Sequence, residues 1–157
     1  MGYIQDFIVY TGTDTTVGIE HKDYGKSESI VMSLLEPYLG KGHILYVDNW
    51  YTSPALFDVL HKNCTNACGT VKKRRKGMPK MHEKLKKGEA CFRSANMLAI
   101  KWQDKKEVFM ISTIHKEEFV DVPKHYSVQE IVQKPLCVHD YNKLMGAVDR
   151  IDMASAL

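Results

Sequence analysis

The sequence lacks several patterns that would assign it to a class of protein. Its four cysteines form no C-x-x-C pair, so reduced thiols are a simpler expectation than a disulfide framework. No window approaches the roughly 18 uninterrupted apolar residues of a membrane span, and the N-terminus lacks the apolar block of a secretory signal. The net charge is only +3. We therefore expect a soluble, intracellular chain in which a nucleic-acid site would depend on local clusters of charge.

A zinc site would have to be assembled from residues whose spacing fits no common zinc finger. The simpler interpretation is two buried thiols and two surface imidazoles. The residues concerned are His61, Cys64, Cys68 and His82.

The first half of the chain alternates between strand and helix patterns. "YIQDFIVYTG" is rich in aromatic and β-branched residues, which predicts a strand. A helical face then begins near Ser27 or Ser29, either of which suits the N-cap position, and ends at Gly40. "HILYV" predicts a short buried strand. Ser53 followed by Pro54 predicts the start of the next helix, with Leu56, Phe57 and Leu60 as its apolar face.

Asp48 follows that short strand directly, in "LYVDNWYTSPALF". Open α/β sheets bind ligands just beyond the carboxyl ends of their strands, where loops and helix N-termini converge. Asp48 is therefore a candidate functional residue. The alternative is a turn in which Asp48 and Asn49 satisfy only neighbouring backbone groups. The local sequence leaves both interpretations open.

A basic run follows the next apolar segment, in "CGTVKKRRKGMPK". It is typical of a solvated loop, a nuclear-import signal or an edge that contacts phosphates, and the run alone does not choose among them. Its members are Lys72, Lys73, Arg74, Arg75 and Lys76.

The composition changes after Gly77. "CFRSANMLAIKW" and "EVFMISTIH" alternate in the manner of strands, which predicts a β-rich insertion subdomain over residues 77–134 between a first core segment, 1–76, and a returning helix, 135–157. In "YNKLMGAVDRIDMASAL" helical periodicity returns. Asp149 and Asp152 lie three apart there and share a helix face, either as one site or as a solvated acidic edge. Gly146 beside them would let another backbone approach closely.

Four blocks together resemble the catalytic region of piggyBac-type transposases and the domesticated proteins derived from them. They are "GYIQDFIVYTG", "LLEPYLGKGHILYVDNWYTSPALFDVL", "GTVKKRRKGMPK" and "YNKLMGAVDRIDM", in the order of the family. The resemblance implies an α/β, RNase H-like transposase core interrupted by a β-rich insertion. It also implies metal-dependent cleavage and transfer of DNA strands in the nucleus, with no membrane partner and a possible homodimer in the full-length proteins.

The resemblance also implies roles for individual residues. Asp48 matches the second catalytic aspartate and Asp149 the third, with Asp152 matching a further acidic position. These three would bind Mg²⁺ or Mn²⁺, which prefer hard oxygen ligands. Asn49 and the basic run of residues 72–76 would bind nucleic acid.

The sequence departs from the family pattern at the N-terminal end. The first catalytic aspartate, and the first strand that carries it, would fall upstream of Met1. We therefore expect an incomplete core that is inactive as this chain. The alternative is a domesticated nuclear module that binds DNA or protein without catalysis.

Overall fold

The computed structural model describes residues 6–9, 11–15, 25–124 and 127–155, of which 13, 124, 127–129 and 147–155 are described by their backbone. This part of the chain contains three α-helices, α1 (Lys26–Leu35), α2 (Pro54–Lys62) and α3 (Leu136–Ser155). Its seven strands are β1 (Ile44–Val47), β2 (Asn66–Thr70), β3 (Ala90–Ser94), β4 (Leu98–Gln103), β5 (Glu107–Ser112), β6 (Phe119–Lys124) and β7 (Ser127–Pro135). Single turns of 3-10 helix lie at Gly12–Asp14 and Glu36–Tyr38.

The larger sheet has five strands in the order β1-β2-β5-β4-β3. β1 and β2 are parallel, with Val47 opposite Gly69, and the other neighbours are antiparallel. Since parallel neighbours need a crossover connection, α2 supplies the link between β1 and β2. β6 and β7 form a separate antiparallel hairpin. The fold is therefore mixed α/β, and within the described residues β1 is an edge strand.

Helices cover both faces of this sheet. On one face, Leu56, Phe57 and Leu60 of α2 are fully buried in a cluster that includes Phe109 and Ile111 of β5. These α2 residues are the apolar face that the sequence predicts, and Ser53 caps α2 as expected. On the other face, the first turn of α3 contributes buried side chains. β1 itself is less buried than the sequence predicts, because Ile44 is exposed and the other three residues of the strand are half-buried at the edge of the sheet.

The first predicted strand is not formed at its described positions. Residues 6–9 carry no strand assignment, and the side chains of Phe7 and Val9 are 72% and 67% exposed. An alternation of apolar residues becomes a strand only where a neighbouring strand accepts its backbone hydrogen bonds. The remaining residues of this predicted strand, at 3–5 and 10, lie outside the described residues.

The N-cap of α1 is also different from the prediction. Gly25 occupies it, and Ser27 and Ser29 lie inside the first turn. The Gly25 N–H donates to Glu28 Oε2 at 2.6 Å, so a residue three positions along satisfies the free donor. The helix also ends earlier than predicted, because α1 stops at Leu35 and the 3-10 turn that follows stops at Tyr38. Gly40, the predicted end, lies just beyond that turn with a φ of 73°, which suits glycine.

The β-rich segment contributes to two sheets. β3, β4 and β5 extend the larger sheet, because β5 pairs with β2, whereas β6 and β7 form the hairpin. The stretch "CFRSANMLAIKW" contains two strands separated by a turn at Ala95, whose N–H donates to the Met97 carbonyl at 3.2 Å. The division at residues 76/77 and 134/135 stays a prediction, although the larger sheet crosses the first of these boundaries.

The C-terminal helix is confirmed as α3, which begins at Leu136, one residue after the predicted start of the returning helix at residue 135. A Cβ added at Gly146 would meet no described atom within 4 Å, so the expected close approach at this residue is not formed. No helix in the described part of the chain is both long enough and apolar enough to cross a membrane.

Candidate functional site

Asp48 lies at the carboxyl end of β1 and begins a tight turn. Its Oδ1 accepts the Trp50 N–H at 3.0 Å, and its carbonyl oxygen accepts the Thr52 N–H at 3.1 Å and the Thr52 hydroxyl at 2.7 Å. Thr52 is fully buried, whereas Asp48 is exposed. The turn of the second interpretation is therefore formed, and the exposed carboxylate lies at the strand tip. A functional role for Asp48 stays a prediction.

Gly69 makes room for this turn, and the sequence analysis did not single it out. A Cβ at this position would lie 2.5 Å from the Val47 carbonyl oxygen and 2.6 Å from Thr52 Oγ1. Only glycine lets β2 pass this close to the end of β1. The available signal was a glycine inside a predicted strand, which often marks a close backbone approach.

Glu28 connects α1 to the same region. Ser53 Oγ accepts the Leu56 N–H at 3.1 Å, which caps α2, and donates its own proton to Glu28 Oε1. Since Glu28 Oε2 holds the Gly25 N–H, one carboxylate fixes the starts of both helices. Glu28 was missed because its partner Ser53 is far along the sequence.

The Asp48 turn lines an open cleft of about 640 Å³ that is rich in cations and aromatic side chains. Lys72 Nζ lies 4.9 Å from the centroid of the Trp50 ring. Arg75 Nη2 donates to the carbonyl oxygens of Asn49 at 2.7 Å and of Trp50 at 3.2 Å. The residues that line this cleft, which we call the Asp48 cleft, are Lys26, Ser27, Ile30, Asp48, Trp50, Tyr51, Lys72 and Arg75.

The basic run is folded against the protein in a turn, with the Arg75 N–H donating to the Lys72 carbonyl at 2.9 Å. Lys72 and Arg75 line the Asp48 cleft. Lys73 Nζ lies 3.4 Å from Glu107 Oε2, and Arg74 and Lys76 are exposed.

A second cavity of about 450 Å³ begins on the other side of Arg75. Lys73 and Arg74 of the basic run line it together with Lys80 and His82, which the sequence analysis did not assign to the DNA edge. Positive charge therefore continues from one cavity to the next.

Glu107 is held as a carboxylate by two lysines. Lys101 Nζ donates to it at 2.8 Å, and Lys101 and then Lys73 lower the pKa of the Glu107 carboxyl. The Lys101 side chain is only 4% exposed, and its Nζ also donates to the Glu83 carbonyl oxygen at 2.6 Å. Glu107 therefore offsets the charge of Lys101 within the sheet and that of Lys73 in the basic run, and it contacts no other member of that run.

The described side chains do not group the predicted metal ligands. Asp48 supplies one exposed carboxylate, which fits Mg²⁺ as a single ligand. Asp149 and Asp152 belong to α3, where the structure describes the backbone of these two residues and not their side chains. No group of three or more His, Cys, Asp or Glu side chains that could hold an ion occurs in the part that is described. The formation of one metal site by Asp48, Asp149 and Asp152 together stays a prediction.

The cysteines are consistent with structural thiols. All four are free, and Cys68 and Cys137 are buried. Burial raises the pKa of the Cys68 thiol to about 12 and also raises that of Cys137, so neither is a thiolate at neutral pH. Cys64 is exposed, and among the described residues it forms no group with Cys68, His61 and His82 that could hold a metal ion.

A serine–histidine–aspartate chain links the β5–β6 connection to α3. Ser112 Oγ lies 2.7 Å from His115 Nδ1, and His115 Nε2 lies 3.2 Å from Asp140 Oδ2. Ser112 is fully buried, and its Oγ accepts the N–H groups of Ile114 and His115 at 3.2 Å. Because Ser112 is buried and its Oγ already accepts two backbone N–H groups, these three side chains serve to fasten the loop to α3.

Comparison with known proteins gives the same assignment for nearly the whole chain. The family described as Transposase IS4 matches residues 1–156. The human PiggyBac transposable element-derived protein 3 is 29% identical over 167 aligned residues, which cover 97% of this chain and 28% of the human protein. A human chimeric ERCC6-PGBD3 protein is also 29% identical, with 97% of this chain and 16% of that protein covered.

A solved structure has the same fold. It is a cryo-EM structure of a piggyBac transposase synaptic complex with hairpin DNA, with a TM-score of 0.68 and 21% sequence identity. The match covers 88% of this chain and 29% of the transposase chain. The chain thus spans less than a third of the length of the relatives that it matches.

Proposed function

We propose a function in DNA phosphodiester chemistry for this chain, which belongs to the piggyBac-type transposase family. It is a piggyBac-like transposase fragment, and we assign it part of an RNase H-like core. The observation that carries the proposal is the position of Asp48, at the carboxyl end of β1 in a cleft with Lys72 and Arg75. A carboxylate among cations suits a site that binds both a metal ion and a phosphate.

The parallel pair of β1 and β2 supports the RNase H-like assignment. In that arrangement the outer edge of β1 receives a further strand, which in this family carries the first catalytic aspartate. Ile44 on this edge is 47% exposed in the described structure. We propose that the segment that includes residues 6–9 joins the sheet when that strand is present.

Asp48, Asp149 and Asp152 would hold Mg²⁺ or Mn²⁺ in this proposal. A divalent ion between such carboxylates supplies activation of an attacking oxygen and stabilisation of the leaving oxygen at phosphorus. The protein fixes the position of the Asp48 carboxylate that would bind the ion. The Trp50 N–H fixes one oxygen of Asp48, and Arg75 holds the turn that follows.

DNA is the proposed partner, and the basic run is the proposed contact. Lys72, Arg74, Arg75 and Lys76 would contact phosphates, with Asn49 at the edge of the Asp48 cleft. Lys73 would contribute less, since it already lies beside Glu107. Phosphate contacts of this kind position DNA without reading its sequence. Action on transposon ends, a nuclear location and a homodimer in the full-length protein are part of the same proposal.

The first test is the salt dependence of duplex binding. A variant with glutamine at all five positions of the basic run should bind more weakly and lose about one unit of slope in log K against log salt for each phosphate contact removed. A control variant should keep the slope, because it removes the same charge from exposed lysines outside both cavities. That control carries Lys41→Gln, Lys86→Gln, Lys87→Gln, Lys105→Gln and Lys106→Gln. Equal slopes for the two variants would reject the basic run as the DNA contact.

The second test is metal binding without catalysis. Mn²⁺ titrations followed by electron paramagnetic resonance should show a weak site that Asp48→Asn removes. Asp104→Asn is the control, since Asp104 lies in the β4–β5 turn, away from the Asp48 cleft. Mn²⁺ binding that survives Asp48→Asn would show that Asp48 is not a ligand.

A further inference from the structure

Trp50 is an exposed aromatic residue on the rim of the Asp48 cleft. The residue is 57% exposed, whereas the second tryptophan of the chain, Trp102, is 5% exposed. Tryptophan is usually buried over most of its large surface. Its exposure here therefore calls for a ligand that covers the ring.

The backbone of Trp50 is held on both sides. Its N–H donates to Asp48 Oδ1 at 3.0 Å, and its carbonyl oxygen accepts from Arg75 Nη2 at 3.2 Å. These contacts fix the backbone from which the indole projects, so less conformational entropy is lost when a ligand binds there. The same two contacts place the indole between the predicted metal ligand and the basic run.

The surroundings of Trp50 combine the two features that recognise a nucleotide. The Lys72 ammonium lies 4.9 Å from the ring centroid, a cation–π distance, and leaves a positive charge beside an aromatic face. Lys26 and Arg75 add charge to the cleft, and Tyr51 adds a second aromatic ring. Sites for single-stranded nucleic acid use this pairing, in which aromatic rings stack on bases and cations contact the backbone.

We propose that Trp50 stacks on an unpaired nucleobase while Lys72 and Arg75 contact the phosphates beside it. An unpaired base is needed because the faces of a base inside a duplex are covered by its neighbours. The inference rests on the proposed DNA function and extends it, since a phosphate contact alone would leave Trp50 without a role. The cleft volume of about 640 Å³ is enough for a nucleotide-sized ligand.

Tryptophan fluorescence of the 157-residue chain tests this directly, because Trp50 is the exposed one of its two tryptophans. The probes are a thymidine oligonucleotide and an abasic strand of the same length, which has the same phosphates without bases. We expect the thymidine strand to quench the emission of Trp50 and the abasic strand to bind without that quenching. Emission from buried Trp102 reports in every variant whether the fold is intact.

Trp50→Leu should weaken binding of the thymidine strand by about 5- to 150-fold, the range for loss of one aromatic–base stack, and should leave abasic binding within about twofold. Trp50→Phe should restore part of the loss. Lys72→Gln should weaken both strands, whereas the surface control Lys105→Gln should change neither. This pattern would separate a stacking residue from a general contact.

Two other results are distinguishable. If both strands bind with the same affinity and Trp50→Leu has no effect on either, the basic surface binds phosphate and the stacking inference is overturned, with Trp50 left as a contact for a protein. If neither strand binds at low salt, the proposed DNA function and the stacking inference both fail.

Discussion

Replacing Gly69 with alanine should destabilise the fold and displace the turn that carries Asp48. The new Cβ would lie 2.5 Å from the Val47 carbonyl oxygen and 2.6 Å from Thr52 Oγ1. Contacts of a Cβ essentially never fall below 3.0 Å, so β1 and β2 must separate locally by about 0.5 Å. The nearest atom belongs to the backbone and cannot rotate away.

The magnitude follows from two opposing effects. Overpacking of a tight interior costs about 1–3 kcal/mol. Displacement of Thr52 also strains its 2.7 Å hydrogen bond to the Asp48 carbonyl, which is worth about 0.5–1.5 kcal/mol. Against this, alanine restricts the unfolded chain and recovers about 0.4–1 kcal/mol. The free energy of unfolding should therefore fall by about 1–4 kcal/mol, which lowers Tm by roughly 5–10 °C at the middle of that range.

Thermal unfolding followed by circular dichroism measures this, with Gly146→Ala as a matched control. Gly146 lies within α3, where an added Cβ meets no described atom within 4 Å, so alanine there should raise stability by about 0.5–1 kcal/mol. The two identical substitutions should shift Tm in opposite directions. Thr52→Ala should also cost less in the Gly69→Ala background than alone, because it removes one of the clashing atoms. A Tm for Gly69→Ala at or above that of the parent chain would refute the close approach of β2 to the Asp48 turn.

Three other perturbations have defined outcomes. The 157-residue chain should not nick a duplex in Mg²⁺ or Mn²⁺, since Asp48 is the one carboxylate that lines the described cleft; nicking that Asp48→Ala abolishes would contradict this. Extending the chain by roughly 10 upstream residues of a related transposase should raise Tm and reduce aggregation, because an added strand would cover the open edge of β1; a cooperative monomeric transition with no gain on extension would show that the sheet closes otherwise. Glu107→Gln should lower Tm at neutral pH by leaving Lys101 without its carboxylate partner. Because the pKa of Glu107 is lowered by folding, its contribution is present above the ordinary carboxyl pKa and is lost as the pH falls through the lowered value, so the Tm difference should vanish in acid; a Tm difference that persists in acid would contradict this assignment.

The sequence was sufficient where the signal lies within one turn of helix or one strand. Ser53 and Pro54 predicted the start of α2 because the N-cap hydrogen bond joins residues three positions apart, and the structure shows it at 3.1 Å. The apolar spacing in α2 likewise predicted the buried face. Asp48 was identified because it follows a short apolar run, and the structure places it at the end of β1.

Contacts between segments that are distant in the chain could not be predicted from the sequence. The pattern of "YIQDFIVYTG" is that of a strand, but residues 6–9 have no strand assignment, because a strand needs a partner that local sequence does not specify. The pattern after Gly77 predicted strands but not that β5 would pair with β2 and so extend the larger sheet. For the same reason the two cavities on either side of Arg75 were not predicted.

The sequence by itself determined the family, the start of α2 and the candidate residues Asp48 and 72–76. Only the tertiary structure decided how they meet: Arg75 reaches the carbonyls of Asn49 and Trp50, and Gly69 allows the turn to close against β2. The physical reason is the separation along the chain of the residues that interact. Periodicity and capping are fixed by hydrogen bonds between near neighbours in sequence, whereas a cleft is fixed by packing between segments that come together only when the sheet forms.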